Sequence, residues 1–459
     1  MTIPPKPRPR PGRIGALRFL HLLRKDILSA QSDRLYRAKM ADFRVPFFRS
    51  VVVNDPKLVR TVLVERPRDF PKSPHLIAAL QPLLGKGVFL ANSEDWSTQA
   101  RTVRRTLELD PHRAMPHILW AGQAALARLE ARPHVRDPVS LEPFARHVTA
   151  DVMVRLLFGR PITDQEITRI MDVFDTYQAS APLVSLGAIF PSLQGRWPLG
   201  SWAAEAAARE LRKTVARWVA RHRLAWVKGK NPSGLVTRLF NAKDPESGAP
   251  LSKVSLVDQV TTFLLAGHET SAATLAWALY LLALNPVDQA AIAEEAADVL
   301  GSGTVDRSML PRLERSRDAV RETLRLYPAL PMLLRETTKP ETFRQRRLPV
   351  GAQVVISPWH LHRHVDHWTD PDAFRPSRWR DADHTQARRD AYLPFGLGER
   401  SCPGAGLAMA ETILLVSLIC RDWSLRPTQV APRPFAKLTL RAEPGLMVTV
   451  TPRRRSDGT

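Results

Sequence analysis

The chain has 459 residues and a formal net charge of +22, from 67 lysines and arginines against 45 acidic residues. A composition of 44% hydrophobic and 24% charged residues excludes a disordered or low-complexity protein. Only two cysteines are present, Cys402 and Cys420, which excludes a disulfide scaffold. The basic residues are scattered and no zinc-finger, RNP-type or helix-turn-helix signature accompanies them, so no nucleic-acid partner is expected. The excess charge therefore indicates either a solvated surface or an acidic protein partner.

The beginning of the chain predicts a tail followed by one large domain. Residues 1–12 are rich in proline and arginine and predict a flexible tail. Residues 13–459 contain no interior linker and predict a single domain. Four ionisable side chains interrupt the first apolar segment after the tail, so neither a signal peptide nor a membrane span is predicted there. We therefore expect a cytoplasmic protein.

The elements predicted in chain order are mostly helical. After an amphipathic start, residues 45–56 predict short strands and residues 56–65 predict a helix. Further helices are predicted near residues 95–110, 115–131, 140–158, 163–179, 201–228, 255–284, 287–300 and 311–327. Strands return at residues 347–357, 438–442 and 446–452. The fold class predicted is mainly α with a minor β part drawn from both ends of the chain.

The longest apolar pattern covers residues 255–284. As a helix this segment would be about 45 Å long, enough to suggest a membrane span. His268 and Glu269 lie in its middle, however, where an ionisable group in lipid costs several kcal/mol. The pattern therefore predicts a buried central helix.

The sequence PFGLGERSCPGAGLAMAE, residues 394–411, is the strongest signal of a functional site. Its four glycines remove side chains where a large flat ligand would need a close approach to the backbone. Cys402 precedes a helical pattern, and a helix N-terminus together with the nearby Arg400 favours thiolate over thiol. Taken alone, this cysteine is either a reactive or ligating thiolate or an inert loop residue.

Phe395, Gly398, Arg400, Cys402 and Gly404 match the pattern F-x-x-G-x-R-x-C-x-G, and here the chain resembles the cytochrome P450 family of haem-thiolate monooxygenases. The resemblance implies the fold of that family, with the long central helix over a haem b cofactor. It implies that Cys402 is the iron ligand, Arg400 a propionate partner and Phe395 the aromatic residue beside the thiolate. A thiolate ligand pushes electron density onto iron and favours O–O cleavage.

A second match is RETLRLYP, residues 321–328, in which Glu322 and Arg325 lie on one helix face. Alone, such a pair is usually a solvated surface pair. The segment PDAFRPSRW, residues 371–379, is similar to the family segment that supplies a second arginine, here Arg378. The resemblance thus implies a buried structural triad beneath the haem.

A third match is AGHETS, residues 266–271, inside the long helix. Ala266 and Gly267 are small enough to let a flat group lie against the helix, and Glu269 and Thr270 add a carboxylate and a hydroxyl. A hydroxyl bonded back to its own helix would explain the threonine equally well. The resemblance implies that Thr270 and Glu269 deliver protons to the oxygen substrate.

Two further positions follow from the resemblance. Arg335 matches the usual propionate-binding arginine, and Trp96 matches the start of a W-x-x-x-R pattern on a haem-contacting helix. The basic position of that pattern is occupied by Ala100, and the arginine comes one residue later, at Arg101. The family role is therefore not carried over to Arg101.

The segment WHLHRHVDHW offers an alternative metal site. Its histidines are His360, His362, His364 and His367. Three of them would share one side only in a strand, and no cysteine or carboxylate completes a ligand set. The resemblance favours a structural role for this segment.

The resemblance implies a monooxygenase that inserts one oxygen atom from O2 into a lipophilic substrate such as a fatty acid or terpenoid. No flavin or iron–sulfur module is recognisable, so electrons from NAD(P)H are expected through a separate ferredoxin reductase and ferredoxin. Two alternatives are a peroxide-driven peroxygenase, against which Glu269 and Thr270 argue, and a haem-binding sensor without turnover. The apolar residues implied to face the substrate are Leu80, Leu83, Leu84, Leu183, Phe190, Met332, Leu333 and Phe435.

Overall fold

The computed structural model describes residues 2–10, 12, 15–45, 48–106, 111–132, 137–180, 202–244, 246–301, 306–381 and 389–453. Its helices are α1 (Ala16–Lys25), α2 (Pro56–Arg60), α3 (Pro74–Leu84), α4 (Ser93–Thr106), α5 (Pro111–Glu130), α6 (Leu141–Phe158), α7 (Asp164–Ser180), α8 (Trp202–Val227), α9 (Leu235–Asn241), α10 (Lys253–Leu284), α11 (Pro286–Leu300), α12 (Glu314–Leu326), α13 (Pro358–Leu361) and α14 (Ala405–Asp422). Its strands are β1 (Met40–Val45), β2 (Phe48–Val53), β3 (Val139–Ser140), β4 (Leu333–Glu336), β5 (Glu341–Phe343), β6 (Arg346–Leu348), β7 (Gln353–Ile356), β8 (Trp423–Pro427), β9 (Arg433–Ala436), β10 (Leu440–Glu443) and β11 (Met447–Pro452). The mainly α fold with a minor β part is confirmed.

Strands from both ends of the chain combine in the sheets, as predicted. The four-stranded sheet has the order β1-β2-β7-β4, in which β2 and β7 are parallel. Side chains alternate across it: Val51 and Val53 face one hydrophobic core, whereas Val52 and Val355 belong to the other face. Val52 and Val355 also line the large cavity of the protein, so this second face forms one of its walls.

Helix α10 is the centre of the helical body and packs against α6, α12 and α14. Ser252 caps its first turn by accepting a hydrogen bond from the N–H of Ser255 at 3.1 Å, and the helix ends before Pro286. Its apolar residues cover the whole circumference, which buries nearly its full length. In the part of the chain that the structure describes, no single helix is long and apolar enough to cross a membrane, and α10 and α11 reach that length only together, across a bend of 114°.

Helices α6 and α10 approach each other closely at Gly267. A Cβ atom on this glycine would lie 2.5 Å from the Sδ of Met153 on α6. One turn away from Met153, the Thr149 hydroxyl donates a hydrogen bond to the carbonyl of His268 at 3.1 Å. A side chain at position 267 would therefore have to displace Met153, so Gly267 allows the close approach of α6, and it also lines the cavity, where the sequence expected room for a flat ligand.

The N-terminal residues 2–10 lie on the body of the protein. The Tyr327 hydroxyl donates a hydrogen bond to the carbonyl of Pro5 at 2.5 Å, and the Nε of Arg10 donates to the carbonyl of Ala30 at 2.8 Å. The segment also forms bridges to residues 374 and 32. These contacts attach it to the helical body, which differs from the tail predicted from its proline and arginine content.

Candidate active site

A cavity of about 580 Å³ lies between α10, the loop before α14 and the four-stranded sheet. The predicted site residues that line it are Trp96, Ala266, Gly267, Thr270, Arg335, Phe395, Arg400 and Cys402. These residues come from four separate regions of the sequence and meet here because α4, α10, β4 and the Cys402 loop converge. Its volume lies within the usual range for small-molecule sites, about 300–1,000 Å³.

The loop that carries Cys402 is held by its own backbone. The N–H of Cys402 donates a hydrogen bond to the carbonyl of Phe395 at 2.9 Å, and the N–H of Ser401 donates to the carbonyl of Gly398 at 3.1 Å. Gly398 has a φ of +76°, and a Cβ atom there would collide with the carbonyl of Leu63. Gly398 is thus needed for the turn and for packing against the segment that contains Leu63. The sequence analysis had instead explained this glycine by the close approach of a flat ligand.

Cys402 borders the cavity just before the first turn of α14. Cys402 is exposed, yet the protein packed around its thiol raises the pKa of that thiol by desolvation, and the hydrogen bond from the N–H of Gly404 lowers it by less. The guanidinium of Arg400 is turned away, donating to the carbonyl of Ala91 at 2.9 Å and lying 4.6 Å from the centre of the Trp96 ring. The help that the sequence expected from Arg400 is therefore not seen in this arrangement, because its guanidinium is engaged by Ala91 and Trp96. A coordinating metal ion deprotonates a thiol outright, which makes Cys402 suited to be a ligand.

Three cationic side chains share one wall of the cavity: Lys72, Arg335 and Arg400. Lys72 and Arg335 are only 8% and 7% exposed. Burial and then the charge of Arg400 lower the pKa of Arg335 to about 10. Burial, followed by the charges of Arg335 and Arg400, lowers the pKa of Lys72 well below its ordinary value.

The polar contacts of these three cations are with neutral groups. Lys72 donates to the carbonyl of Phe89, Arg335 to that of Leu334, and Arg400 to Ala91 and to the Oδ1 of Asn92. Buried charges are normally paired, since an unpaired one is costly. A ligand that brings two carboxylates would neutralise this wall, so the residues fit the propionates of a haem group.

Lys72 was missed by the sequence reasoning. One signal was available: Ala100 stands where the W-x-x-x-R pattern has its arginine, so another cation could be expected at the cavity. Ala100 lines the cavity, whereas Arg101 forms an ion pair with Glu246 at 2.9 Å and lies outside the cavity wall. The side chain of Asn92 holds the backbone of Lys72. Its Oδ1 accepts from the N–H of Lys72 at 3.0 Å, and its Nδ2 donates to the carbonyl of Lys72 at 3.1 Å.

Thr270 and Glu269 lie on different sides of α10. The Thr270 hydroxyl donates to the carbonyl of Ala266 at 2.7 Å and borders the cavity. Glu269 does not line the cavity; its carboxylate accepts hydrogen bonds from Arg146 at 2.9 Å and from Arg441 at 3.3 Å. Consecutive residues of an α-helix point about 100° apart, which separates the two side chains. The sequence predicted that these two side chains act at one place in the site. The structure instead separates them.

Glu269 is the buried member of a charge cluster between α6, α7, α10 and β10. Arg146 and Arg441 also bind Asp175, at 2.9 Å each. Burial would raise the pKa of Glu269, but the nearby His268, Arg146 and Arg441 outweigh it, and the pKa lies below its ordinary value. Glu269 is therefore an ionised carboxylate in this arrangement.

Glu411 is a buried acid that the structure places at the cavity. It lies on α14 and is 1% exposed, and its Oε1 atom has no hydrogen-bond partner among the residues that the structure describes. Burial raises the pKa of Glu411 to about 8, with a hydrogen bond from Ser271 opposing that rise. Ser271 is adjacent to Thr270 and lines the same cavity. The sequence analysis did not select Glu411 as a site residue. An acidic residue within the apolar pattern of α14 could have indicated it.

The three residues of the predicted triad meet in the structure. The two carboxylate oxygens of Glu322 accept hydrogen bonds from Arg325 at 2.8 and 2.9 Å, and Oε1 also accepts one from Arg378 at 2.8 Å. All three side chains are at most 1% exposed. The remaining N–H groups of the two arginines donate to backbone carbonyls of residues 362 and 369–373. The triad thus connects α12 to the segment that follows α13.

The histidine segment forms a short helix and turn, and its rings serve the local fold. His360 Nδ1 lies 2.7 Å from the Ser357 hydroxyl, and His362 Nε2 accepts from the N–H of Leu393 at 2.9 Å. Among the residues that the structure describes, no group of three or more histidine, cysteine or acidic side chains is placed to hold a metal ion. Cys420 is fully buried in the core.

The positions implied to face the substrate divide into three groups. Met332 and Leu333 line the cavity. Leu80, Leu83 and Leu84 lie in the hydrophobic core, and Phe435 is not part of the cavity wall. Leu183 and Phe190 lie outside the described residues.

Comparison with known proteins identifies the class of this fold and site. The family model described as Cytochrome P450 matches residues 16–450, and the chain belongs to this family. It is therefore a haem-dependent monooxygenase, an oxidoreductase that uses O2.

Similar proteins include Cyclooctatin synthase of Streptomyces melanosporofaciens, 32% identical over 396 residues that cover 84% of this chain and 83% of that protein. Cyclooctat-9-en-7-ol 5-monooxygenase of the same organism is 30% identical over 398 residues, with coverage of 84% and 83%. Cytochrome P450 4X1 of Homo sapiens is 28% identical over 409 residues, which cover 85% of this chain and 79% of that protein.

Proposed function

We propose that this chain is a single-domain, cytoplasmic monooxygenase that inserts one atom of O2 into a fatty acid or terpenoid-like substrate and reduces the other atom to water. The observation that supports it best is one largely apolar cavity bordered by Cys402, by Thr270 and by three cations whose hydrogen bonds, within the described part of the chain, go to neutral groups. The name of the relative Cyclooctat-9-en-7-ol 5-monooxygenase also supports a lipophilic substrate.

Haem b, bound through Cys402, would supply the oxygen activation. Arg335 and Arg400, joined by Lys72, would hold its propionates by charge-assisted hydrogen bonds. Phe395 and Trp96 would pack against its edges. Ala266 and Gly267 would leave room for it beside α10.

Thr270 is proposed to position a proton in the cavity. Its hydroxyl donates to the carbonyl of Ala266, which leaves its oxygen lone pairs available to an O–H donor in the cavity. Glu269 is proposed to supply protons to this hydroxyl. Because Arg146 and Arg441 hold its carboxylate, that transfer requires Glu269 to leave them first.

Electrons are proposed to come from NAD(P)H through a ferredoxin reductase and an acidic ferredoxin. The net charge of +22 supports attraction to an acidic partner, which would accelerate association and be screened by salt. Arg104 and Arg105 are candidates for this contact, and their side chains lie outside the described residues.

Isotope incorporation tests this function against its alternatives. Incubation with ferredoxin, reductase, NADPH, a lipophilic substrate pool and ¹⁸O₂ should give products that carry one ¹⁸O atom. A peroxygenase would give labelled product from H₂¹⁸O₂ without the reductase, and a sensor would give none in either case. Either of those results would contradict the proposal.

A further inference from the structure

The tip of the β9–β10 hairpin brings one lysine to the wall of the substrate cavity. Ala436 pairs with Leu440 across the hairpin, so residues 437–439 form its tip. Lys437 and Leu438 both line the cavity. Lys437 is half-buried there.

Lys437 differs from the other cations of this hairpin. Arg433 forms an ion pair with Glu443 at 2.6 Å, and Arg441 forms one with Asp175 at 2.9 Å. Within the described part of the chain, Lys437 has no ion pair, and the contact recorded for its Nζ is with the carbonyl of Gln178 at 3.5 Å. This distance is too long for a strong hydrogen bond. The ammonium group of Lys437 therefore has capacity for an anionic partner.

The acids on the cavity wall are Asp42, Glu399 and Glu411, and none of them forms an ion pair with Lys437 in the described part of the chain; Glu399 acts on the neighbouring Arg400. Asp42 is engaged by Arg49 and Arg44, each at 3.0 Å. Glu411 is buried beside Ser271 on α10. The cations assigned to haem lie around Asn92, whereas Lys437 lies beside the C-terminal turn of α7, on another wall. Lys437 is thus a positive charge beside α7, apart from the three cations assigned to haem. The cavity lining also includes Arg10, which donates to the carbonyl of Ala30, and the exposed Arg34.

We propose that Lys437 binds the carboxylate of the substrate, which makes the preferred substrate class a lipophilic carboxylic acid. This inference rests on the proposed function, since it names the substrate class of the same cavity. An ammonium–carboxylate hydrogen bond in a poorly hydrated site is stronger than one between neutral groups, so an acid gains affinity that the matching alcohol does not. The apolar wall receives the hydrocarbon part of either molecule.

Direct binding measurements test this proposal. Equilibrium dialysis of the haem-loaded protein at pH 7.5 would compare dodecanoic acid with 1-dodecanol, which share one chain length. We expect the wild type to bind the acid more tightly. Lys437→Met should weaken acid binding by about tenfold, equivalent to about 1.4 kcal/mol, and leave alcohol binding unchanged. Lys437→Arg should keep most of the preference.

Arg433→Met is the matched control, because Arg433 lies in the same hairpin but is paired with Glu443. It should leave the binding of both probes unchanged. Equal binding of acid and alcohol by the wild type, no binding of either, or an equal effect of Lys437→Met on both would overturn the proposal. Dialysis does not depend on thiolate ligation or turnover, so failure of the proposed function would show separately, as absent ¹⁸O incorporation with acid binding intact.

Discussion

Lys72 occupies a position that only a tertiary structure could reveal. The residue is buried, fixed by Asn92 and surrounded by the charges of Arg335 and Arg400. Burial of such a charge costs free energy in the protein without its ligand, because no acidic side chain offsets the loss of hydration. Binding of a ligand with two carboxylates would remove that cost. The three cations therefore suit the two propionates of haem and destabilise the protein in its absence.

We predict that Lys72→Met accelerates haem loss, whereas Lys72→Arg does so much less. A hydrogen bond to a charged group contributes about 1.5–3 kcal/mol, so the expected change is on the order of tenfold or more. Transfer of haem to an excess of a scavenger protein measures this rate. Arg101→Met, which removes the cation paired with Glu246, should leave it unchanged; equal rates for Lys72→Met and wild type would exclude Lys72 from the haem site.

Thr270→Ala is predicted to slow product formation by on the order of 10²-fold, because the positioned hydroxyl of the cavity is lost. Binding of substrate and reduction by the partner proteins should be preserved, and hydrogen peroxide should accumulate in place of product. Thr270→Ser, which keeps a hydroxyl, should retain most of the activity. Product yield per NADPH in Thr270→Ala that matches wild type would contradict this role.

Glu411 makes the stability of the haem-free protein depend on pH. Its folded-state pKa of about 8 lies above its ordinary value of 4.5, so the unfolded chain releases the proton first as pH rises. The free energy of unfolding should therefore fall between about pH 4.5 and pH 8, by at most about 1.4 kcal/mol per pH unit from this group.

Glu411→Gln should remove this fall, since glutamine is neutral at every pH. Urea unfolding at pH 5 and pH 8 would show the variant gaining stability over wild type as pH rises. Glu314→Gln, on the surface of α12, is the control and should follow the wild-type profile. Parallel profiles for Glu411→Gln and wild type would mean that Glu411 is ionised in the folded protein.

At the scale of elements, the triad fixes α12 to the segment at residues 369–378. Glu322 alone satisfies two arginines, and those arginines in turn satisfy the carbonyl groups of a region without regular structure. A polar network of this kind is stable only when every member is paired.

Glu322→Ala is predicted to destabilise the protein by about 3–5 kcal/mol, because it leaves two buried guanidinium groups without their acid. Chemical denaturation measures the loss. Glu314→Ala is the comparison on the same helix, since Glu314 forms an exposed pair with Arg317 at 3.6 Å and should cost no more than about 1 kcal/mol. A similar small cost for Glu322→Ala would show that the triad is not a structural support.

Much of the element pattern was predictable because its signals are local. The predicted helices near 140–158, 163–179 and 201–228 differ from α6, α7 and α8 by one residue at each end or less. Helices α3, α9 and α13, strands β3, β4, β5, β8 and β9, and most of β1 were missed. Strands of two to four residues carry too few side chains for an alternating pattern, and their pairing is set by distant segments.

At the scale of the whole molecule, sequence motifs identified which residues surround the cavity but not how they are oriented. Phe395, Arg400 and Cys402 share one loop, so their proximity was readable from spacing. The turn of Glu269 towards Arg146, by contrast, depends on how α6 lies on α10. Side-chain direction, burial and the partners of a charge are products of tertiary packing, which a single sequence does not contain.

The central claim is that Cys402 holds haem iron as a thiolate in the cavity beside α10. The direct measurement is the absorption spectrum of the reduced protein with carbon monoxide, for wild type, Cys402→Ala and the control Cys420→Ala. The account predicts the red-shifted Soret band of thiolate ligation in wild type and Cys420→Ala and its absence in Cys402→Ala. A Cys402→Ala protein that keeps this band would contradict the account.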